Sequence, residues 1–307
     1  IANGVRTEHN YCSQCAKEMD FGPYSAIFEG EFPLGKLLSG LLGVPGEAEE
    51  EEKMSFVKVS RNADIVYNYD ENGIAHVPIL EGECKDCALE RVSIQPGCEW
   101  SPDVYKLEEH NQVFLFMSGT GYVKTPRMVY NITEVAVFVP EFDKEKFVIR
   151  CAADSKEPLN ILHAVSEIAE YDLQCLKHAR MSLPRFRGLS EAWLYKEFNT
   201  AENVQQLTLL EHRNLGRLSM GGTIDQGPTK VGTHIHNELE QWYIVLPGSE
   251  FTYYAEHDGE KEEIHVTAGD ITFTPHSSHH GSWCEEGEAY KYIWFELCTD
   301  GYPGDLA

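Results

Sequence analysis

The sequence has 307 residues, a formal net charge of −25, 42% hydrophobic residues and 11% aromatic residues. This composition is typical of a globular protein and argues against a disordered chain. The sequence contains no run of eighteen apolar residues, so it predicts no membrane-spanning helix. The negative charge argues against a nucleic-acid partner, because phosphates would be repelled.

Residues 1–54 contain many glycines and prolines and show no sustained alternation of apolar and polar residues. We expect this segment to be an N-terminal extension that packs on a neighbour. From residue 55 to residue 152, short apolar runs recur between turn signals, which predicts many short strands in a sandwich or barrel. The predicted strands are 56–59, 65–69, 89–94, 113–117, 135–139 and 147–149.

Residues 153–202 break the β pattern and are predicted to form a helical linker between two domains. Ile161, Val165 and Ile168 recur at helical spacing, which favours an amphipathic helix that ends before Pro184. Residues 190–198 predict a second, shorter helix.

The β pattern returns over residues 203–300, and residues 301–307 form a tail. The predicted strands here are 207–210, 215–220, 242–246, 251–254, 264–266, 271–273 and 290–297. Residues 114–119 and 243–248 have the same apolar strand followed by a glycine turn. This similarity favours an internal duplication of one β domain.

The second β region contains His234, His236 and Glu240 at spacings of two and four residues. Residues two apart in a strand face the same side, so all three are predicted to reach one interior point. The same parity predicts that Trp242 lies on that inner face, with Ile244 and Leu246. Imidazole and carboxylate donors suit a divalent transition metal such as Fe, Mn, Zn or Ni, with positions left open for substrate.

A further imidazole is expected to arrive from a separate strand and complete the metal site. His280 follows Pro275 by five residues and is preferred, and His279 is the alternative ligand. The histidine that does not bind the metal is predicted to orient a ligand or the substrate, and His276 is either part of the pocket or an exposed loop imidazole. Aromatic residues predicted to line the pocket are Trp242, Tyr243 and Tyr253.

These residues resemble the two motifs of the cupin superfamily. The first motif is similar to His234, His236, Glu240 and the turn at Gly248, and the second to Gly269, Pro275 and His280. The sequence differs from these motifs in that Gly248 falls one residue late, Ser277 replaces a glycine and Cys284 replaces an asparagine. Pro228 also stands where the leading glycine is expected.

The resemblance implies an all-β fold of two cupin barrels, each a double-stranded β-helix, joined by the helical linker. It also implies one metal site, because aligning Gly119 with the first-motif turn places Lys106, Glu108 and Gln112 at the ligand positions of the first barrel. Such a set is a poor metal site, so the first barrel is predicted to have lost its metal. A homodimer is expected by the same resemblance.

Three functions remain open from the sequence. The preferred hypothesis is a metal-dependent dioxygenase acting on a small oxygen-rich metabolite, with Glu240 as a ligand and proton acceptor. The alternative is a non-redox isomerase or lyase of a sugar acid or hydroxy acid, for which Arg213 or Arg217 could bind a carboxylate or be a surface cation. The third is a small-ligand-binding module whose metal only stabilises the barrel.

The nine cysteines are too sparse for a disulfide-stapled secreted domain and indicate a reducing, cytoplasmic setting. Two CxxC pairs, Cys12 with Cys15 and Cys84 with Cys87, could together hold a structural zinc ion. The alternative is that these are unrelated thiols or surface disulfides.

Overall fold

The structure is a computed structural model that describes residues 56–178, 181–196 and 200–302. Residues 54–307 belong to one compact unit. The N-terminal extension expected over residues 1–54 lies outside the described residues, and so do Cys12 and Cys15.

Nearly all regular structure in the described residues is β-strand, which confirms the all-β prediction. The strands in chain order are β1 (Lys58–Ser60), β2 (Ile74–Ile79), β3 (Cys87–Ile94), β4 (Glu99–Trp100), β5 (His110–Ser118), β6 (Gly121–Lys124), β7 (Val129–Ile132), β8 (Ala136–Val139), β9 (Val148–Cys151), β10 (Leu159–Glu167), β11 (Arg185–Gly188), β12 (Trp193–Tyr195), β13 (Gln205–Leu215), β14 (Leu218–Gln226), β15 (Thr229–Ile235), β16 (Leu239–Val245), β17 (Glu250–His257), β18 (Glu260–Thr267), β19 (Ile271–Thr274), β20 (His279–Cys284) and β21 (Ala289–Cys298). One α-helix, α1, spans Glu170–His178, and short 3₁₀ turns span Asn62–Asp64 and Leu189–Glu191.

The strands form four sheets, two in each half of the chain. The N-terminal half has a six-stranded sheet in the order β11-β8-β5-β10-β3-β2 and a four-stranded sheet in the order β4-β9-β6-β7. The C-terminal half has a seven-stranded sheet in the order β1-β19-β16-β21-β14-β13-β12 and a four-stranded sheet in the order β15-β20-β17-β18. This repeated pair of sheets agrees with the predicted duplication.

Three apolar layers hold the sheets together. One layer fills the N-terminal half around Phe114 and Phe138, and a tyrosine-rich layer fills the C-terminal half around Tyr253 and Tyr292. The third layer joins residues of the six-stranded and seven-stranded sheets, including Leu115 and Trp242. Both large sheets are therefore buried on both faces, and their central strands are apolar without alternation.

The helical linker predicted over residues 153–202 is wrong for most of its length. Ile161 and Val165 lie in β10, which pairs with β3 and β5 in the centre of the six-stranded sheet. The helix is limited to α1, and the predicted helix over 190–198 is instead a 3₁₀ turn followed by β12. A strand buried on both faces carries apolar residues at every spacing, including the helical one. None of the helices in the described ranges is long and apolar enough to traverse a membrane.

The first strand of the described chain belongs to the C-terminal half. β1 pairs with β19, and the Asp270 carboxylate accepts hydrogen bonds from Arg61 Nη1 and from the backbone N–H of Asn62, both at 2.8 Å. Gly269 has a φ of +86°, and the Asn62 side chain fills the space where a Cβ would lie. Gly269, at the start of the second motif, and the adjacent Asp270 therefore bind the segment that contains β1 and precedes the N-terminal half.

A buried ion-pair cluster joins the two halves at Arg217. Its Nε lies 2.9 Å from Asp172 Oδ2 on α1, and its Nη1 lies 2.7 Å from Asp86 Oδ2 between β2 and β3. Its Nη2 also donates to the Glu167 carbonyl at 2.9 Å. Asp172 and Arg217 are both almost fully buried, so neither charge is stabilised by water. Each charge is stabilised by the other instead.

We predict that Arg217→Ala lowers the free energy of unfolding by about 3–5 kcal/mol, because it leaves the Asp172 carboxylate buried without a counter-ion. Urea unfolding followed by tryptophan fluorescence measures this change. Arg150→Ala is the control, since Arg150 forms a solvent-exposed pair with Glu99 at 3.4 Å and should cost at most about 1 kcal/mol. Equal effects of the two substitutions would contradict the prediction.

Candidate metal centre

Three imidazoles meet in the C-terminal half. His234 on β15 and His280 on β20 are directly paired across the sheet, and His236 follows immediately after β15. The candidate ligand atoms of the three rings all lie within 4.8 Å of one another. His279, the alternative to His280, is exposed because its side chain alternates to the other face of β20. The metal ligation itself stays a prediction.

The hydrogen bonds of two rings fix which nitrogen is available as a ligand. His234 Nδ1 lies 2.9 Å from the Gly232 carbonyl, and His280 Nδ1 lies 3.0 Å from the Ser278 carbonyl. A carbonyl only accepts, so both Nδ1 atoms carry the proton and both Nε2 atoms keep a lone pair. His280 Nε2 is buried and has no hydrogen-bond partner among the described residues. Burial, followed by the charges of His234 and His236, lowers the pKa of His280 well below its ordinary value and favours the neutral ring.

Glu240, the expected carboxylate ligand and proton acceptor, does not join the three imidazoles. The chain leaves the strand conformation at His236 and re-enters it at Leu239, so the parity assumed from His234 is not preserved. Glu240 lies beside Cys84, where burial, followed by the nearby Glu240 carboxylate, raises the pKa of the Cys84 thiol. Trp242 shares this outward parity and packs between the two large sheets, which corrects its expected place in the pocket.

Gln241 takes the inward position next to the imidazoles. It lines the same pocket as His234 and His236, and its Nε2 donates to Glu296 Oε1 at 2.6 Å. Its Oε1 is buried and finds no hydrogen-bond partner in the described part of the chain. The position of Gly248 is the feature of the sequence that indicates Gln241. When the spacing of the first cupin motif is counted back from Gly248, the fourth ligand falls on Gln241 and not on Glu240.

The donor set suits a first-row divalent metal. It offers the imidazole nitrogens of His234, His236 and His280 together with one amide oxygen from Gln241, and such nitrogen-rich sites bind Fe, Ni and Zn well. Two of these residues carry buried polar atoms that lack a partner in the described structure, namely His280 Nε2 and Gln241 Oε1. A bound ion would satisfy both atoms.

Glu296 on β21 is the buried carboxylate nearest to this site, and it has no place in the sequence motifs. Its oxygens accept hydrogen bonds from Gln241 Nε2, from Ser219 Oγ at 3.0 Å and from His212 Nε2 at 3.4 Å. Burial alone would raise the pKa of Glu296, but the hydrogen bond from His212, the charges of His236 and His212, and the hydrogen bond from Gln241 lower it below the ordinary value. The carboxylate is therefore ionised at neutral pH.

Two of the imidazoles, His234 and His236, line a pocket of about 270 Å³. Its walls include Trp294, Tyr195 and Tyr302, and its floor is formed by Tyr243 and Tyr292, which stack with 4.3 Å between ring centres. Burial raises the pKa of both floor tyrosines, so they stay neutral. The pocket is large enough for a small molecule.

The remaining predicted pocket residues are divided between this site and other surfaces. Tyr243 lines the pocket, and Tyr253 lies in the tyrosine layer with its ring centre 6.3 Å from that of His280. His276 is exposed and lines a separate cleft with Glu240. Arg213 lines the pocket, whereas the buried ion pairs of Arg217 correct its interpretation as a surface cation or carboxylate-binding residue.

The half of the proposed zinc site that the structure describes consists of two free thiols. Cys84 and Cys87 are both buried, and neither is in a disulfide. Burial raises the pKa of both thiols, to about 12 for Cys87, which disfavours the thiolate that zinc requires. Zinc binding with Cys12 and Cys15 stays a prediction.

The N-terminal half has a polar cluster at the position that aligns with Gln241. Gln112 on β5 corresponds to Gln241, and its Oε1 lies 3.2 Å from Nε2 of the buried His163. His163 Nδ1 lies 2.8 Å from Glu90 Oε1, and Phe114 stacks on the ring at 4.4 Å. Glu90 also contacts His76 Nδ1 at 3.0 Å. An imidazole and a carboxylate thus satisfy each other here without an ion.

This cluster predicts a pH-dependent contribution to stability. Burial by itself raises the pKa of Glu90, but the hydrogen bonds with His163 and His76 outweigh it and lower the pKa to about 2. A carboxylate with a lowered folded-state pKa stabilises the protein above its ordinary value near 4.5, and the stabilisation is lost as the pH falls towards 2. We expect Glu90→Gln to remove on the order of 2 kcal/mol of stability at pH 6 and much less at pH 2.5.

Urea unfolding at a series of pH values between 2.5 and 6 tests this expectation. Glu99→Gln is the control, because Glu99 is an exposed carboxylate, and its variant should follow the wild-type curve. A constant difference between Glu90→Gln and the wild type across this pH range would show that Glu90 acts through packing alone.

Comparisons with known proteins agree with the architecture. No protein-family model matches this sequence, and no curated protein sequence matches it. A structure of a glyoxylate-induced protein from Pseudomonas aeruginosa superposes with a TM-score of 0.65 at 10% identity, covering 85% of this chain and 96% of that one. Protein Ylba from E. coli gives a TM-score of 0.59 at 13% identity, covering 85% and 97%.

An oxalate decarboxylase from Lactobacillus farciminis, solved as a formate complex, gives a TM-score of 0.59 at 11% identity, covering 78% of this chain and 86% of that one. At these identities the likeness concerns the fold. The described chain therefore has the all-β bicupin fold that the resemblance of its motifs implied.

Proposed function

We propose that the C-terminal half holds one divalent transition metal and that the protein is an enzyme acting on a small oxygen-rich metabolite. The observation that carries this proposal is the convergence of three imidazoles within 4.8 Å, two of which, His234 and His236, line a pocket. The proposed ligands are His234, His236, His280 and Gln241, with Gln241 replacing Glu240 from the sequence motif. Two partnerless buried atoms, His280 Nε2 and Gln241 Oε1, support the assignment.

The chemistry supplied by a bound metal would be polarisation of a substrate oxygen or, for a redox-active ion, reaction with dioxygen. The protein's own residues would bind and orient the substrate. Trp294 and Tyr195 offer flat aromatic walls, and the neutral Tyr243 and Tyr292 line the pocket with them. Glu296, ionised and facing the pocket, takes over the role of proton acceptor that the sequence assigned to Glu240.

Among reaction classes we propose an oxygen-dependent oxidation, as the sequence analysis preferred. A set of three imidazoles and one neutral amide suits Fe(II). A non-redox isomerase or lyase is the second candidate, because the ionised Glu296 could move a proton between neighbouring carbons of a substrate. A cytoplasmic homodimer stays a prediction from the sequence.

We expect His280→Ala and Gln241→Leu to reduce the metal content of the purified protein below one equivalent, as measured by elemental analysis after dialysis. Loss of one of four ligands typically weakens metal binding by two or more orders of magnitude, about 3 kcal/mol or more. Glu240→Gln is the matched control, because its carboxylate lies on the opposite face of β16 and should leave the metal content unchanged. Metal loss in Glu240→Gln alone would refute the proposed ligand set.

The reaction class is tested with protein reconstituted anaerobically with Fe(II) or with Zn(II). We expect the Fe(II) protein to consume oxygen when candidate phenols or β-diketones are added, and the His280→Ala protein to consume none. Turnover by the Zn(II) protein without oxygen uptake would favour the isomerase or lyase. Binding of many candidates without turnover of any would favour a non-catalytic ligand-binding module.

A further inference from the structure

The N-terminal half contains a second pocket, of about 530 Å³, whose lining residues differ from those of the pocket beside the proposed metal site. It forms because β2 ends before it has paired with the whole of β3. The last pair between these strands is Ile79 with Leu89, whereas β10 pairs with β3 as far as Cys87. Leu80 has a φ of +51°, and the chain turns there to line a pocket instead of extending β2.

This pocket is mostly apolar and has one polar region. Its apolar side chains include Leu80, Leu89 and Val165. Glu90 and His163, which are directly paired across β3 and β10, place a carboxylate and an imidazole on the wall. A concave, largely apolar pocket with a few polar groups close together is the usual form of a small-molecule site.

The Glu90 carboxylate can accept more hydrogen bonds than it makes within the protein. His163 Nδ1 lies 2.8 Å from its Oε1, and His76 Nδ1 lies 3.0 Å from its Oε2. Each carboxylate oxygen has two lone pairs, so each can accept one further hydrogen bond. The Glu90 side chain is 26% exposed and lies on the pocket wall, where a ligand can reach it. An ionised carboxylate binds a charged N–H donor more strongly than a neutral one.

The charges around the pocket favour a cation over an anion. Glu81 and Lys85 are exposed residues of opposite charge on the wall, and Glu90 adds a further negative charge. Burial, followed by the charges of Asp103 and Glu90, raises the pKa of the Tyr105 phenol, so both carboxylates act on this part of the pocket. A carboxylate on a ligand would therefore be repelled, and an ammonium group would be attracted.

We propose that this pocket, here named the N-terminal pocket, binds a small amphipathic amine. The ammonium group donates to Glu90, and the apolar body lies against Leu80, Leu89 and Val165. A volume of about 530 Å³ leaves room for a substituted ring or a short alkyl chain. The site needs no metal ion and is independent of the function proposed for the C-terminal half.

The test uses three compounds with the same fluorinated ring and different head groups: 4-fluorobenzylamine (a cation), 4-fluorobenzyl alcohol (neutral) and 4-fluorobenzoate (an anion). Each is titrated with the full-length protein at pH 7 and followed by its fluorine NMR signal. We expect the amine to bind about tenfold more tightly than the alcohol and the benzoate to bind most weakly. An amine that shows no saturable binding, or binds no more tightly than the other two compounds, would overturn the proposal.

Glu90→Gln tests whether Glu90 is the source of this preference. We expect the amine affinity to fall about tenfold and the alcohol affinity to change less, because glutamine remains an acceptor but carries no charge. Glu99→Gln is the matched control, since Glu99 is an exposed carboxylate of the same half outside the pocket lining, and both affinities should stay at their wild-type values. An equal loss for amine and alcohol in Glu90→Gln would overturn the role of the carboxylate charge.

Ala88→Trp locates the binding site and provides the deciding measurement if Glu90→Gln does not fold. Ala88 is exposed on the pocket wall, so an indole at this position fills the pocket without entering the core. We expect the amine affinity to fall by at least about tenfold, while the metal content of the protein stays at its wild-type value. Amine affinity that survives this substitution would place the binding on another surface and overturn the N-terminal pocket as the site.

Discussion

The burial of β16 on both faces is the constraint on which the candidate site depends. One face of this strand lines the pocket through Gln241 and Tyr243, and the other packs against the N-terminal half through Trp242 and Ile244. A strand has only two faces, so a shift of its register by one residue would exchange the two sets completely. The apolar core between the large sheets, which Trp242 fills, therefore determines which polar residue meets the imidazoles.

The same two-sided burial explains which features could be predicted from the sequence. The all-β fold, the duplication and the three histidines were predictable, because they depend on turn signals and on residue types at short spacings. The orientation of Glu240 had one sequence signal, the late Gly248, because apolar residues follow Glu240 on both parities and the break at His236 is not visible as a glycine or proline. β10 was mistaken for a helix for a related reason: its apolar residues satisfy every periodicity.

The two halves surround a corresponding buried glutamine, Gln112 or Gln241, with different hydrogen-bond partners. In the N-terminal half, His163 lies between the Glu90 carboxylate and the Gln112 amide, and both ring nitrogens face acceptor oxygens. In the C-terminal half, the corresponding Gln241 leaves its oxygen without a partner in the described structure. The buried His163 ring has a partner at each nitrogen, whereas His280 Nε2 and Gln241 Oε1 have none among the described residues. The duplication thus preserves the framework while the polar groups diverge.

The pairing of β1 with β19 has a consequence for biosynthesis. Arg61 emerges from the ribosome long before its partner Asp270, which lies 209 residues further along the chain. The N-terminal half can assemble its own sheets while the segment before it waits for its partner strand. The seven-stranded sheet is completed only when the C-terminal half has been made, so β1 pairs with its neighbour long after β1 itself has been translated.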